Sequence, residues 1–460
     1  MIGEWKMIRG VVVAACLFLL VVNRPAEAQE KLKLTFAETS LGTVPATARV
    51  DQITFSADSM HVAYPVKKPN GWVILRDGKE EKPYDWILPT SLTYSPDGSK
   101  LAYQVQRSND NIVVVSEGIE GQEFKEIVTP KVLYSADGKR MAYIAKPVGG
   151  KGTVVVIDGV ASLEYEKVHP RSLIFSADGK HFAYAAGTNS KMTWFLDGKE
   201  LASYDEVGPL EFSPDGARYA FMGQRNGKQV MVLDGKESAQ YDRAVGAGFS
   251  PDGKRFVFSA LKDKKARVVL DGVDGKDYDI VGEAIFSSDS KRVAYVAMQN
   301  RLQLAILDGK ELQPYDRVME MKFSGDGQHF AYRAIDDRKQ MLVVDEKPGK
   351  PFELIGLFQL SDNGRRLAYA ARNEGVNLLV LDGKEIRGAG FITMGPEGRY
   401  VGHSMDREGK SVVLVNETEG NSYDGFPKGS RWVFKNPDHL ILIATRSMEI
   451  LRVDVTIAAN

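Results

Sequence analysis

The sequence predicts an all-β protein, a β-propeller built of about eleven four-stranded blade repeats of about 37 residues. Two observations carry this prediction: a Ser-Pro-Asp-Gly turn recurs along the chain, and a second Asp-Gly turn follows it after about nineteen residues. Four short antiparallel strands in such a repeat match one propeller blade, and a ring of blades protects the strand edges that a single blade would expose. A parallel β-helix is the alternative, but it needs no pair of hairpin turns in every repeat.

The first turn joins the first two strands of each repeat. In the copy at 213–216, Pro presets φ, Asp accepts backbone hydrogen bonds and Gly permits a positive φ. Weaker copies carry Asp58, Asp289, Asn363 and Glu397 at the Asp position, and a degenerate copy near residue 428 makes eleven repeats. We therefore predict structural roles for the aspartates of the strongest copies, which are Asp97, Asp137, Asp178, Asp215, Asp252 and Asp326.

Residues 244–279 show the strands of one repeat. The runs 255–260 and 267–270 are rich in β-branched and aromatic residues, and the polar loop 262–265 separates them. Asp271-Gly272 then signals the next hairpin. No repeat shows a helical period over a useful length, which excludes the helical solenoids of similar repeat length.

A Tyr-Asp pair follows the second turn in many repeats, at the link to the next inner strand. The tyrosines either pack between blades or form part of a partner-binding surface. The loops joining the second and third strands vary most and carry Lys and Arg, and hairpin topology puts them on the same face as the Tyr-Asp links. The candidate partner-binding residues of this face are Tyr204, Asp205, Tyr241, Asp242, Tyr278, Asp279, Tyr315, Asp316, Lys262, Lys264, Lys265 and Arg225.

The first 28 residues differ from the rest of the chain. Lys6 and Arg9 precede the apolar run 10–22, and Ala-Glu-Ala at 26–28 fits the small-x-small cleavage pattern. These features predict a secretory signal peptide, residues 1–28, cleaved before Gln29, and hence a periplasmic or secreted protein. The apolar run is too short for a comfortable membrane span, so we expect no span after cleavage.

Two alternatives to cleavage at this position stay open. The segment could remain as an uncleaved anchor, or Cys16 could be lipidated, although six apolar residues follow this cysteine. Cys16 is the only cysteine of the chain, so cleavage before Gln29 would leave a protein without disulfides, thiol nucleophiles or thiolate metal ligands.

The repeat carries a resemblance to a known family. Phe-Ser-Pro-Asp-Gly-Lys-Arg-Phe at 249–256 resembles the WD-like repeat of TolB-type propellers, and the similarity extends over about 45–455. The resemblance implies an exported, envelope-associated propeller. The same repeat builds the propellers of certain peptidases, which carry their nucleophile in a separate domain. We expect neither that hydrolase domain nor the α/β domain of TolB in this chain.

The domain organisation follows from these segments. We predict a signal peptide at 1–28, an N-terminal lead-in at 29–45 and propeller repeats at 46–460. Because propellers typically have four to eight blades, eleven repeats favour two rings, with a boundary near residue 240, over one large ring.

The sequence contains little that indicates catalysis. It has no Gly-x-Ser-x-Gly elbow and no Walker loop. His61, His181 and His329 share a repeat position that holds Lys or Arg elsewhere, as at Arg218, so we expect a solvent-facing position rather than a metal site. We predict no catalytic residue, no metal and no cofactor. Lys and Arg (60) balance Asp and Glu (61), which gives no general attraction to nucleic acid.

These observations predict an exported, non-enzymatic propeller that binds or scaffolds protein partners or other components of the periplasm or envelope. One alternative is a propeller enzyme, of lyase or lactonase type, with its site in the central channel. Another is a small-ligand or glycan binder that uses exposed tryptophans. The tryptophans to consider are Trp72, Trp86, Trp194 and Trp432. The sequence does not predict an oligomeric state.

Overall fold

A computed structural model describes residues 32–43, 52–387, 389–427 and 430–459. The predicted signal peptide at 1–28, with Cys16 and the cleavage position before Gln29, lies outside the described residues. The described residues form four-stranded antiparallel sheets with two single-turn 3₁₀ helices, Pro89–Ser91 and Pro396–Gly398, and no α-helix. This architecture confirms the predicted fold class, a multi-blade β-propeller.

Ten blades follow one another in chain order, and in each blade the chain runs from the inner to the outer strand. Blade 1 contains Thr54–Phe55, Val62–Lys68, Gly71–Arg76 and Lys79–Glu80; blade 2 contains Trp86–Ile87 with Thr93–Tyr94, Leu101–Gln106, Ile112–Ser116 and Ile119–Ile127; blade 3 contains Leu133–Tyr134, Met141–Pro147, Val154–Ile157 and Val160–Ala161. The end of Ile119–Ile127 also pairs with Met141–Pro147, so this strand passes from the outer edge of blade 2 to the inner edge of blade 3 and joins the two blades into one sheet. Blade 4 contains Lys167–Val168 with Ile174–Phe175, Phe182–Gly187, Met192–Leu196 and Lys199–Tyr204; blade 5 contains Glu206–Phe212, Tyr219–Arg225, Lys228–Leu233 and Lys236–Glu237.

The later blades are more regular. Blade 6 contains Arg243–Phe249, Phe256–Lys262, Lys265–Leu270 and Val273–Asp274; blade 7 contains Ile280–Phe286, Val293–Gln299, Leu302–Leu307 and Lys310–Tyr315; blade 8 contains Arg317–Phe323, Phe330–Asp336, Lys339–Val344 and Lys347–Pro348. Blade 9 contains Leu354–Leu360, Leu367–Asn373, Val376–Leu381 and Lys384–Arg387; blade 10 contains Ala389–Met394, Val401–Arg407, Lys410–Val415 and Thr418–Tyr423.

Blade 11 takes its outer strand from the other end of the chain. Its first three strands are Val433–Asn436, His439–Arg446 and Glu449–Ala459, and the fourth is the N-terminal strand Leu32–Thr43. The N-terminal strand pairs antiparallel with Glu449–Ala459 along its whole length, with one register shift. The greater part of the segment predicted as a lead-in, 29–45, is therefore a strand of the propeller. The repeat pattern missed it because almost the whole chain separates this strand from its blade.

The eleven blades form one closed circuit. Each consecutive pair of blades shares a cluster of buried side chains; across residue 240, for example, Met231 of blade 5 packs with Tyr241 and Phe258. Blade 11 packs on blade 1, where Ile443 joins Tyr64 in one cluster. The packing thus gives one large ring, the alternative to the two rings with a boundary near residue 240 that the blade count favoured. Since a buried cluster spans every junction between neighbouring blades, the described chain offers no place where a smaller ring could close.

The inner strands of the ring are of two kinds. In blades 2 to 4 a proline interrupts the inner strand or precedes it, at Pro89, Pro130 and Pro170, and the repeat spacing there is 39 to 41 residues instead of 37. In blades 5 to 10 the inner strand is continuous but carries a register shift, as between Val207 and Leu210. These inner strands line the central channel.

Candidate functional site

The turns divide the ring into two faces. The turn face carries the Ser-Pro-Asp-Gly turns and the Asp-Gly turns between the third and fourth strands, which are bonded to each other: the Asp271 amide donates to the Phe256 carbonyl at 2.8 Å. The hairpin face carries the loops between the second and third strands and the Tyr-Asp links. The Asn226 amide in one such loop donates to the Asp205 carboxylate at 2.9 Å, so loops and links lie together as the topology predicted.

The first serine of each complete turn organises that turn. The Ser250 hydroxyl is buried; it donates to Asp252 Oδ1 at 2.6 Å and accepts from the Arg255 amide at 2.9 Å. The bond from Ser250, followed by that from the Lys254 amide, lowers the pKa of Asp252. The same Ser-to-Asp bond, of 2.5 to 2.6 Å, holds Asp97, Asp137, Asp178, Asp215 and Asp326. These carboxylates are bonded within their own turns.

Arg218 lies between two blades rather than in open solvent. Its Nε donates to Asp234 Oδ2 at 2.8 Å, and its Nη1 donates to the Gly253 and Lys254 carbonyls of the next blade, both at 3.0 Å. Only 29% of the Arg218 side chain is exposed. Two of the three hydrogen-bond acceptors of this side chain belong to the following repeat, so the position expected to face solvent is instead a contact between blades.

The histidines at the same repeat position have local partners. The Nδ1 atom of His61 lies 2.7 Å from Asp77, that of His181 lies 2.6 Å from Asp197, and that of His329 lies 2.7 Å from Asp345. Each pair belongs to a different blade. Within the described residues there is no group of three or more His, Cys, Asp or Glu side chains placed to hold a metal ion.

The tyrosines of the Tyr-Asp links belong to the core between blades. Tyr204, Tyr241, Tyr278 and Tyr315 are at most 3% exposed. The hydroxyl of Tyr241 donates to Asp274 on the outer strand of the next blade at 2.7 Å, and burial raises the pKa of Tyr241 to about 12. Tyr204 and Tyr278 make the same bond to Glu237 and Glu311. These four side chains therefore pack between blades and expose almost no surface.

The aspartates of the links fix the hairpins of neighbouring blades. Asp242 accepts from Lys228 Nζ of blade 5 and from the Asp263 amide of blade 6, and these bonds lower the pKa of Asp242. Asp205, Asp279 and Asp316 likewise accept from the amides of Asn226, Asn300 and Asp337, at 2.9, 3.2 and 3.0 Å. Each link aspartate is thus bonded to the turn of a hairpin.

Two of the predicted basic residues form ion pairs with other residues of the propeller. Arg225 Nη1 donates to Glu237 Oε1 at 2.6 Å, and its guanidinium lies 4.2 Å from the centroid of the Tyr204 ring. Lys265 Nζ lies 3.1 Å from Asp279 Oδ1. These two cations stabilise the contacts between blades and are poor candidates for partner contacts.

Other cations of the hairpin face have no such partner. Lys262 and Lys264 of blade 6, Arg301 of blade 7, and Arg338 and Lys339 of blade 8 are exposed, and no described carboxylate lies within ion-pair distance of them. We call these five residues the hairpin patch. The patch covers three consecutive hairpin tips, and the candidate binding residues predicted from the sequence include only Lys262 and Lys264 of its members.

The channel wall holds charged residues that the sequence analysis missed. Burial, and then the charge of Glu283, raises the pKa of Glu211, so both carboxylates face a shared region of the wall. On blade 8, Glu320 lies 3.4 Å from Arg333 Nη2 and 3.6 Å from Lys322 Nζ. Glu283 and Glu320 occupy the same position of the 37-residue repeat, but other blades carry uncharged residues there, such as Gly246 and Leu357, so the sequence pattern did not reveal them.

The tryptophans divide between core and surface. Trp194 and Trp432 are 1% and 7% exposed, and Trp194 Nε1 donates to the Gly208 carbonyl at 3.2 Å. Trp72 and Trp86 form an edge-to-face pair with centroids 5.0 Å apart, and Trp86 is 41% exposed. Only the pair on blades 1 and 2 is therefore placed where a ligand could reach it.

Comparisons with known proteins add little about function. No family model matches the chain, and no curated protein matches it in sequence. Three solved structures are similar: the eukaryotic initiation factor (12% identity, TM-score 0.41, 71% of this chain and 94% of that one); the β-propeller domain of the trilobed protease from Pyrococcus furiosus (15%, 0.28, 54% and 92%); and a prolyl endopeptidase (12%, 0.29, 58% and 53%). The TolB-type resemblance therefore rests on the repeat residues alone.

One further observation concerns membranes. Among the described residues, no helix is long and apolar enough to cross a bilayer.

Proposed function

We propose that this protein is an exported β-propeller that binds an acidic surface of a periplasmic or envelope protein through the hairpin patch. One observation carries the proposal. Lys264, Arg301 and Arg338 occupy the same tip position on three consecutive hairpins, with φ of 63°, 69° and 63°. Blades 5, 9 and 10 have glycine at this position, namely Gly227, Gly375 and Gly409, with φ of 74° to 77°.

The backbone conformation of these tips disfavours residues other than glycine, which bears on the role of the three cations. A residue other than glycine in the left-handed region costs roughly 1 kcal/mol relative to the right-handed one. Three cations therefore occupy positions where glycine would be the more stable choice. Met448 has the same conformation at the tip of blade 11, with φ of 66°, so it is the recurrence of a cation on three consecutive blades that distinguishes the patch. The fold does not use their charges, since no described carboxylate pairs with them.

The contrast with other hairpins supports the same conclusion. Lys191 and Lys228 lie on equivalent hairpins and pair with the link aspartates Asp205 and Asp242. The link aspartates accept from the turn amides directly before the three tip cations, so the backbone of these turns is fixed before binding and loses less conformational entropy. Exposed charges on such a rigid surface steer a partner of opposite charge and fix its orientation.

The proposed export rests on the first 28 residues and agrees with the fold. The N-terminal strand begins at Leu32, so cleavage before Gln29 would leave the closing strand of blade 11 complete. N-terminal sequencing of the protein recovered from the periplasm or the medium is expected to give Gln29. A full-length chain found only in the cytoplasm would contradict export.

A photocrosslinking experiment tests the binding surface. A photoreactive residue is placed singly at Arg301 or Arg338 on the hairpin face, and at Lys254 or Lys291 on the turn face, in intact cells. We expect both hairpin positions to capture the same protein and the turn-face positions to capture none. Equal capture of that protein from both faces would contradict the proposal.

A second measurement separates binding from folding. The variant Lys264→Gly, Arg301→Gly, Arg338→Gly should bind the captured partner at least tenfold more weakly while its melting temperature stays the same or rises. The matched control removes three exposed lysines of the turn face, Lys139, Lys254 and Lys291, by substitution with Gln. A patch variant that binds like the wild type, or a control that loses as much affinity, would exclude the hairpin patch.

A further inference from the structure

A hollow of about 440 Å³ lies in the inner wall of the ring, close to the turn face. Its lining comes from the innermost strands of blades 1, 2 and 3, with Thr54, Thr93 and Leu133, and from Arg431 beside the innermost strand of blade 11. Each of these strands pairs with a neighbour on one side only. The hollow therefore opens toward the central channel, and four blades meet around it.

Among the residues that the structure describes, two cations are the only charged side chains that line the hollow. Lys131 and Arg431 are both exposed, and neither has a described carboxylate within ion-pair distance of its side chain. Most other basic side chains near the blade junctions are paired, as Arg140 is with Asp158. A Lys and an Arg without counter-charges beside a concave surface favour an anion.

Two carboxylates directly follow residues that line the hollow, Ala57 and Pro96, and both are bonded within their turns. Asp58 accepts from the Ser56 hydroxyl at 2.5 Å and from the Met60 amide at 3.1 Å. Asp97 accepts from the Ser95 hydroxyl at 2.5 Å and from the Ser99 hydroxyl at 2.8 Å. These bonds hold the two carboxylates within their own turns, outside ion-pair distance of Lys131 and Arg431.

The charges of the channel wall are unevenly distributed around the ring. On blade 4, burial and then the charges of Lys167 and Arg171 lower the pKa of His169, against a smaller opposing effect of Glu206. On blades 5 and 7 the carboxylates of Glu211 and Glu283 repel each other. Glu211 and Glu283 lie on blades that do not line the hollow, whereas the described charges of the hollow itself are the cations Lys131 and Arg431, so the local potential favours an anion.

We propose that this hollow binds a carboxylate or phosphate group, with Lys131 and Arg431 as its charged contacts. The guanidinium of Arg431 can donate two parallel hydrogen bonds to such a group, and the ammonium of Lys131 supplies a compact charge beside it. The ligand is either a free small anion or the anionic group of a longer chain that enters the channel. This site is separate from the hairpin patch and does not depend on it.

Calorimetric titration of the purified mature protein tests the hollow with three probes. Pyrophosphate and citrate represent free anions, and hexaglutamate represents an anionic chain; hexaglutamine is the uncharged control. We expect at least one anionic probe to bind at micromolar to millimolar concentration, with an affinity that falls as salt rises. Binding of pyrophosphate or citrate as tight as that of hexaglutamate indicates a free anion, and binding of hexaglutamate alone indicates a chain. Absence of binding by all three anions would overturn the proposal.

Variants then locate the bound anion. The double variant Lys131→Gln, Arg431→Gln should weaken binding at least tenfold without a change in melting temperature, because the fold uses neither charge. The matched control Lys139→Gln, Lys254→Gln removes two exposed cations of the turn face outside the hollow and should bind like the wild type. A double variant with wild-type affinity, or a control with an equal loss, would also overturn the proposal.

Discussion

The Glu38 carboxylate accepts two hydrogen bonds from the Arg446 guanidinium, at 2.6 and 3.0 Å, across nearly the whole length of the chain. It also accepts from the Tyr423 hydroxyl at 2.8 Å. Glu38 lies on the N-terminal strand, Arg446 on the second strand of blade 11 and Tyr423 on the outer strand of blade 10. One carboxylate therefore ties the closing strand to the last two blades, and the bond from Arg446 is the largest cause that lowers the pKa of Glu38.

Glu38→Gln should lower the free energy of unfolding at pH 7 by about 1–3 kcal/mol, the usual contribution of charge-assisted hydrogen bonds. Because the folded pKa of Glu38 is below the unfolded one, this contribution is present above the unfolded pKa and is lost as the pH falls through the folded pKa. Urea denaturation of wild type and variant should therefore converge at low pH. Glu80→Gln, which affects an ion pair within blade 1, is the control and should change stability far less.

Removal of residues 1–28 should leave the melting temperature unchanged, whereas removal of 1–43 should lower it strongly. The second deletion takes away the N-terminal strand, which pairs with Glu449–Ala459 throughout its length and carries Glu38. Differential scanning calorimetry of the two truncated proteins checks this expectation. Equal melting temperatures would show that the ring does not need the strand for closure.

Ser250→Ala should cost about 1–3 kcal/mol, because a buried hydroxyl that both donates and accepts is removed and the Arg255 amide is left without its partner. Ser190→Ala, at an exposed hairpin loop, is the matched control and should be nearly neutral. Chemical denaturation at pH 7 measures both. A Ser250 variant as stable as the control would mean that the turn does not depend on its serine.

Arg218→Ala should cost about 1.5–3 kcal/mol, since hydrogen bonds to a charged group link two blades at this position. Arg218→Lys keeps the charge but loses the planar fork that reaches Asp234 and the next blade together, so we expect an intermediate loss. Lys254→Ala, at a side chain 83% exposed, should have little effect. If Lys at position 218 restored full stability, the charge alone would account for the contact.

The sequence separation between interacting residues explains which contacts could be predicted. The bonds of Asp252 lie within its own turn, so the tetrapeptide at 250–253 indicates them directly. Arg218 pairs with Asp234 sixteen positions away, but its carbonyl partners lie in the next repeat, and the sequence analysis placed it in solvent. The link tyrosines, such as Tyr241, were left between core and surface, and only their burial against the next blade decided between the two.

By itself, the sequence determined the repeat, the four strands of each blade and the turns between them, because these depend on bonds within about 37 residues. The tertiary structure decided how many blades one ring contains, because that number follows from a small rotation at each junction, accumulated over the whole circuit. It also decided which distant residues meet, such as Glu38 and Arg446. In the same way it decided which residues of distant blades line one hollow, such as Lys131 and Arg431. The Glu38–Arg446 pair has the same form as the Arg225–Glu237 pair of blade 5, but its acidic partner lies at the other end of the chain, so the repeat spacing does not indicate it.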